Sequence, residues 1–369
     1  MCCIWRFSRM NTRCCAAGWT SNMLYDVFLP VLKLTAILQR RYHVFLVRCQ
    51  RRPALLLKNP IVPENHYAPT CRRLRWLDLH LLRWLAPGKA ACYALNLFER
   101  PHRMPCKKTD VRWLSALRQD ELICAGQRVV VYRAGAESPA RRVLLIHGWE
   151  ARAVMLRPLI ASLTQAGYEV IAPDLPAHGE SEGERCSFSD LVAVIRQLGE
   201  RYGVFCAALG HSFGGTALLH AATRGLRCQR LVILSSPESL PCVLEAYIAF
   251  HGVPVALTER IKRVYLERYG HDPDAISYTR WPRIAVPTLV CHDRDDHNIA
   301  LMQAFHLLSA TDAGEIYITQ GSGHRGIVRD RALIQRVTDF VQAPSAHQQK
   351  ALSVLCGCLS GHAVRHVAD

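Results

Sequence analysis

Val204-Phe205-Cys206-Ala207-Ala208-Leu209-Gly210-His211-Ser212-Phe213-Gly214-Gly215 sets a serine between two glycines at the junction of two elements. The apolar run before Gly210 reads as a buried strand. It breaks at the glycine and restarts at once as an apolar helix, Thr216-Ala217-Leu218-Leu219-His220-Ala221-Ala222. A turn that sharp holds the serine in a strained conformation and brings strand and helix backbones close together. A Cβ at 210 or 214 would collide there, so both positions need glycine. The helix behind Ser212 presents free N–H groups and a positive dipole end to a developing oxyanion. Strand before and helix after are the context in which G-x-S-x-G presents a nucleophilic serine.

Outward from this turn the chain alternates. Glu121 to Tyr132 reads as a hairpin around Ala125-Gly126, and Val143 to Ile146 as a buried strand ending in His147-Gly148-Trp149. A helix near 154–166, a strand over 168–174 and the loop Leu175 to Ser181 follow. Next come a helix from Phe188 to Tyr202, the Ser212 turn, and a strand at Leu231–Leu234. Short apolar strands alternating with amphipathic helices mark a mostly parallel sheet covered on both faces. Residues 236–282 interrupt the alternation with helical patterns (Val243–Phe250, Thr258–Tyr269). That insertion is expected as a small helical cap over the carboxyl ends of the strands, where such sheets bind ligands. The alternation resumes with strands at 288–291 and 315–318, helices near 300–309 and 331–341, and then a tail at 344–369.

The charge is uneven. Residues 1–110 carry 19 Lys/Arg against 5 Asp/Glu, while the rest carries 27 against 25. The net charge of +16 therefore belongs to an N-terminal extension and is not a nucleic-acid footprint on the catalytic half. Residues 1–70 give weak patterns and are expected to be poorly ordered. In 71–110, Leu74, Leu77, Leu81 and Leu85 repeat at helical spacing among arginines; Pro87-Gly88 is read as the stop, and Ala90–Phe98 as a second helix. These helices are expected to pack on the domain at 111–343; weak contact with an anionic membrane surface is the second expectation. The apolar stretch Met23–Leu38 is interrupted by Asp26, Pro30 and Lys33 and falls short of a membrane span. Sixteen irregularly spaced cysteines read as mostly reduced thiols, and the expected location is cytoplasmic. Cys2-Cys3, Cys14-Cys15, and Cys356 and Cys358 with His362 and His366 have ligand-like types, but none is assigned a metal.

Acyl transfer by serine needs a base for the Oγ proton and an acid to orient that base. After the strand at 288–291 comes His292-Asp293-Arg294-Asp295-Asp296-His297, and after 315–318 comes Gln320-Gly321-Ser322-Gly323-His324-Arg325. The order Ser212, Asp, His324 is that expected for a serine on a strand-to-helix turn.

From Val143 to about Val341 the sequence resembles the α/β-hydrolase superfamily. The resemblance is carried by His147-Gly148, Asp174-Leu175-Pro176-Ala177-His178-Gly179-Glu180-Ser181, Gly210-His211-Ser212-Phe213-Gly214 and Gly323-His324. It implies Ser212 as nucleophile and His324 as base. Setting Asp293 on the glycine of the family's Gly-x-x-Asp loop puts the acid at Asp296; that departure leaves Asp295 open, and some members would use Glu238. The resemblance also implies an oxyanion hole from the backbone N–H groups of Trp149 and Phe213. His178 is expected to brace its loop, Arg294 and Arg325 to be solvated, and His211 to be turned away by the pleat. The reading is a serine hydrolase of carboxylic esters that needs no cofactor and no metal. Thioesterase, lysophospholipase and peptidase-like chemistry, or a ligand-binding member without catalysis, are the alternatives.

Overall fold

Five residues of β3 (Arg142–Ile146) set the architecture, because their side chains alternate between two cores. Leu144 and Ile146 enter one cluster with Ala208, Leu231 and Ile233. Val143 and Leu145 enter the other with Ala207, Leu209, Val232 and Leu234. A strand buried on both faces reads as an unbroken apolar run, since successive side chains point to opposite sides. A computed structural model of the chain describes residue 79 and residues 81–343.

β1 (Arg118–Cys124) and β2 (Gln127–Ala134) form an antiparallel hairpin at one edge. Its turn residues Ala125 and Gly126 both have positive φ, 50° and 76°, the hand that matches strand twist. β4 (Glu169–Pro173), β5 (Ala207–His211), β6 (Leu231–Leu234), β7 (Thr288–Asp293) and β8 (Gly314–Thr319) complete an eight-stranded sheet. Its order is β1-β2-β4-β3-β5-β6-β7-β8, parallel from β4 onward.

The N-terminal side differs from expectation in two places. The first helix ends at Leu85, ahead of the expected stop at Pro87-Gly88, but the second does not wait for Ala90: α1 (Pro87–Phe98) starts at the proline itself. Proline is pre-set for the first helical position, where its missing N–H costs nothing. Ahead of the hairpin, where the sequence showed no helical pattern, stands α2 (Lys108–Ser115). Its one buried residue, Leu114, gives no period, and Arg157 stacks over its Trp113 ring. α1 buries Ala90, Ala91, Ala94, Leu95 and Phe98. Just beyond it, buried Glu99 receives hydrogen bonds from Arg268 (2.6 Å) and Tyr269 (2.7 Å). Burial pushes the Glu99 carboxyl above its ordinary range, against the pull of Tyr269 and Arg268.

α3 (Arg157–Gln165) follows a short 3-10 turn, Ala153–Leu156. α4 (Phe188–Tyr202) begins with a capping box: Ser187 accepts from the Asp190 N–H, and the Asp190 carboxylate accepts from the Ser187 N–H. α5 (Phe213–Ala222) follows β5. Where the alternation breaks stand α6 (Leu240–His251) and α7 (Thr258–Tyr269). α8 (Leu301–Ser309), the single turn α9 (Gly323–Gly326) and α10 (Arg331–Gln342) complete the order.

Among the described residues no helix is long and apolar enough to cross a membrane. The expectations for residues 1–70, most of the basic helix at 72–85, the cysteine pairs at 2–3 and 14–15, and the tail at 344–369 fall outside the described residues.

Candidate active site

The chain turns sharply in a crowded space at the end of β5. Ser212, between β5 and α5, has φ 53° and ψ −131°, a conformation that costs a non-glycine residue energy. The space around it explains the glycines. A Cβ on Gly210 would lie 2.5 Å from the Gly215 Cα, and one on Gly214 would lie 2.2 Å from the His147 carbonyl oxygen. A third site, Gly215, faces the Ser236 hydroxyl at 2.0 Å from where its Cβ would stand. The turn is thereby wedged between β3 and β6, with the Ser212 hydroxyl pointing into the cleft above.

His324, on α9 after β8, turns its Nε2 to the Ser212 Oγ at 3.0 Å. Its Nδ1 lies 2.8 Å from Asp296 Oδ2. A proton on Nδ1 donated to Asp296 leaves Nε2 free to accept the serine O–H. The other Asp296 oxygen accepts the N–H groups of Asn298 (2.8 Å) and Ile299 (2.9 Å), which fixes the carboxylate. Burial pushes the Asp296 carboxyl up, but His324, the Ile299 N–H and nearby His292 outweigh it and hold the group below its ordinary value. Neither alternative acid reaches the base. Asp295 accepts from the Gly321 N–H at 3.0 Å, and Glu238 pairs with His306. Asp293 ties the two strand ends, accepting from Thr319 Oγ1 at 2.7 Å and the Ser322 N–H at 3.0 Å.

His211 has a contact that the sequence reading missed. It borders the cleft beside Gly148, and the main chain of His324 folds over it. His211 Nε2 donates to the His324 carbonyl oxygen at 2.8 Å. The nearest signal in the sequence is its position beside the serine.

Phe213 is the first residue of α5, so its N–H has no partner within the helix. Across the turn, a Cβ on Gly148 would lie 2.8 Å from the Ser212 Cβ, so the chain entering Trp149 passes directly against the serine. Buried histidines hold this segment. His147 donates from Nδ1 to the Gly148 carbonyl (2.8 Å) and accepts the Leu175 N–H at Nε2 (3.0 Å). His178 accepts the Glu150 N–H at Nε2 (3.0 Å) and donates from Nδ1 to Pro176 (2.8 Å). Burial pushes both rings down, His147 to about 4 and His178 to about 3, so they stay neutral. Asp174 accepts from the N–H groups of Ala153 (2.7 Å) and Glu180 (2.8 Å), fastening the loop at 174–181 to the segment after Trp149.

Above Ser212 and His324 lies a cleft that opens to solvent. One wall is aromatic: Phe98 of α1 stacks on Trp149 at 5.7 Å and meets Tyr247 of α6 edge-on at 5.1 Å. Val243, Tyr247 and His251, four residues apart on one face of α6, form its roof. Polar side chains also line the cleft, among them Arg100, His102, Glu150 and Arg325. Arg325, expected as solvated, is therefore half-buried on the cleft, whereas Arg294 is exposed. Among the described residues no group of three or more His, Cys, Asp or Glu is placed to hold a metal ion.

Residues 143–336 match the model of the alpha/beta hydrolase family. A thermostable monoacylglycerol lipase of Bacillus sp. (strain H-257) is 32% identical over 194 residues, covering 44% of this chain and 73% of the lipase. Among solved structures, an esterase of Pyrococcus furiosus aligns with TM-score 0.49 and 19% identity, over 66% of this chain and 97% of the esterase. The mouse alpha/beta hydrolase domain-containing protein 10 aligns with TM-score 0.48 and 15% identity, over 61% of this chain and 96% of its own.

Proposed function

The chain belongs to the alpha/beta hydrolase family and is a hydrolase, and we propose that it cleaves carboxylic esters through an acyl-enzyme formed on Ser212. One observation carries this reading: the unbroken row Ser212 Oγ–His324–Asp296, at 3.0 and 2.8 Å, on the floor of a cleft with an aromatic wall.

The steps follow from the geometry. Ser212 Oγ attacks the ester carbonyl carbon while His324 Nε2 takes its proton, and Asp296 stabilises the imidazolium from the other side. The oxyanion falls to the N–H groups of Phe213 and Trp149, donors held in place before the reaction; each such donor is worth about 100- to 1,000-fold in rate. Collapse breaks the bond to the alcohol, which leaves with the His324 proton. Water then enters, gives a proton to His324 and attacks the acyl carbonyl; the bond to Ser212 Oγ breaks as His324 returns the proton to it, which releases the carboxylic acid and free Ser212.

Apolar burial against Phe98, Trp149 and Tyr247 suits the acyl group, and the polar lining suits a small hydroxylated alcohol. The similarity to a monoacylglycerol lipase supports the same substrate class, an acyl ester of a small polyol. The test is labelling with a fluorophosphonate probe, with and without Ser212→Ala, followed by glycerol and p-nitrophenyl esters of rising chain length. Labelling and turnover should vanish together in Ser212→Ala; turnover that survives would place the chemistry on another residue.

A further inference from the structure

Glu150, next to Trp149, stands at φ 52°, in the left-handed region that a glutamate rarely occupies. Such a conformation persists only where its surroundings over-determine it. Here two contacts from different parts of the chain do so. From behind, the Glu150 N–H is taken by His178 Nε2 at 3.0 Å. From in front, the Glu150 carboxylate, only 8% exposed, accepts the His102 N–H at 3.1 Å and faces His102 Nδ1 at 2.6 Å. His102 lies in the segment after α1, upstream of the 143–336 region that defines the family.

The other end of this short turn is fixed as well. β3 and the bonds of His147 hold residues 146–148, and the Ala151 N–H closes on the Gly148 carbonyl at 3.3 Å. A main-chain donor has no rotamer of its own, so its aim is set by its neighbours' dihedral angles. We propose that Glu150 is a positioning residue for the oxyanion site: clamped between His102 and His178, it fixes the main chain that carries the Trp149 N–H beside Ser212. This rests on the reading of Ser212 as the nucleophile. It adds that a side chain from the N-terminal segment takes part in holding the oxyanion donor.

The experiment compares Glu150→Gly, Glu150→Gln and His102→Ala in the full chain. It measures kcat and KM on a butyrate ester, and the inhibition constant of an aliphatic trifluoromethyl ketone, whose adduct with Ser212 carries the oxyanion. Glycine accepts positive φ freely and keeps the N–H, so Glu150→Gly removes the front clamp without forcing the turn. It should lower kcat about 10- to 100-fold and weaken the ketone by a similar factor, with KM changed less than about twofold. Glu150→Gln, whose amide oxygen can accept both His102 donors, should retain activity within about threefold. His102→Ala, at a half-exposed side chain that the fold can spare, should reproduce the kcat and ketone losses in part. Wild-type kcat and ketone affinity in both Glu150→Gly and His102→Ala, or a loss confined to KM, would overturn the positioning role. Ester turnover surviving Ser212→Ala would instead bring down the underlying reading.

Discussion

His211 donates a hydrogen bond from Nε2 to the main-chain oxygen of His324, 2.8 Å away, with the two rings 5.0 Å apart. The residue before the serine thus holds the backbone of the residue that faces it. Burial, and then the nearness of His324, push the His211 ring down to about 3, so it stays neutral and donates throughout the working range. His211→Ala frees the His324 main chain. The expected result is a kcat about 10- to 100-fold lower with KM little changed, since small misplacement of a base is costly. Steady-state kinetics and the rate of fluorophosphonate labelling should fall together; an unchanged labelling rate would remove His211 from any positioning role.

The two neighbouring aspartates give a sharper contrast. Asp296→Asn places an amide at His324 Nδ1, which can no longer stabilise imidazolium and favours the wrong tautomer. The loss in kcat is expected to reach about ten-thousandfold. Asp295→Asn alters only an acceptor for the Gly321 N–H, and turnover should stay within about tenfold. The kcat of both variants, each with an unchanged melting temperature, decides the matter. A large loss at 295 with little at 296 would reverse the assignment.

Acid should unfold the protein before it silences Asp296. His147, His178 and His211 are fully buried and held down to about 4, 3 and 3, while in the unfolded chain each titrates near 6.5. Between those values the unfolded chain binds protons that the native one does not. Their contribution is therefore intact above about pH 6.5 and lost as pH falls. Each ring accounts for about 2 kcal/mol between pH 7 and pH 5. Asp296, held below its ordinary value, contributes with the same sign over a lower window: present above about pH 4 and lost below it. Urea midpoints at pH 7 and pH 5 test this, and equal midpoints would contradict it.

Phe98 should set acyl-chain preference. Phe98→Leu keeps the core filled but removes the flat face stacked on Trp149, and with it apolar contact worth about 1 kcal/mol for a long chain. The ratio of kcat/KM for an octanoyl over an acetyl ester is expected to fall by about fivefold to tenfold. A ratio unchanged from wild type would show that the chain runs elsewhere in the cleft.

Where sterics dictate the residue, the sequence was enough to read the fold. Gly210 and Gly214 could be argued from the Ser212 turn alone because a Cβ at either meets backbone within 2.5 Å. The parallel sheet was equally legible, since strands buried on both faces leave unbroken apolar runs between helical periods. Contacts that depend on how distant segments fold over one another were not. α2 buries a single leucine and so leaves no period to read. Alternation along β5 carries no information about the His324 main chain 113 residues later, to which His211 is bonded. Asp293, Asp295 and Asp296 lie within four residues of one another, and spacing alone separates them poorly. Their hydrogen-bond partners, on β8, after β8 and on His324, distinguish them.

The segment running from Phe98 to His102 has a consequence for how such a protein can change. Ser212, Asp296 and His324 all fall within residues 143–336, whereas the stacked ring of Phe98 and the His102 partner of Glu150 come from well upstream. The cleft is thus assembled from two lengths of the gene, one carrying Ser212, Asp296, His324 and most of the lining, the other a wall ring and the His102 clamp on Glu150. Exchange of residues 87–102 between relatives would change the wall and the clamp together, so that acyl preference and turnover would shift as a pair.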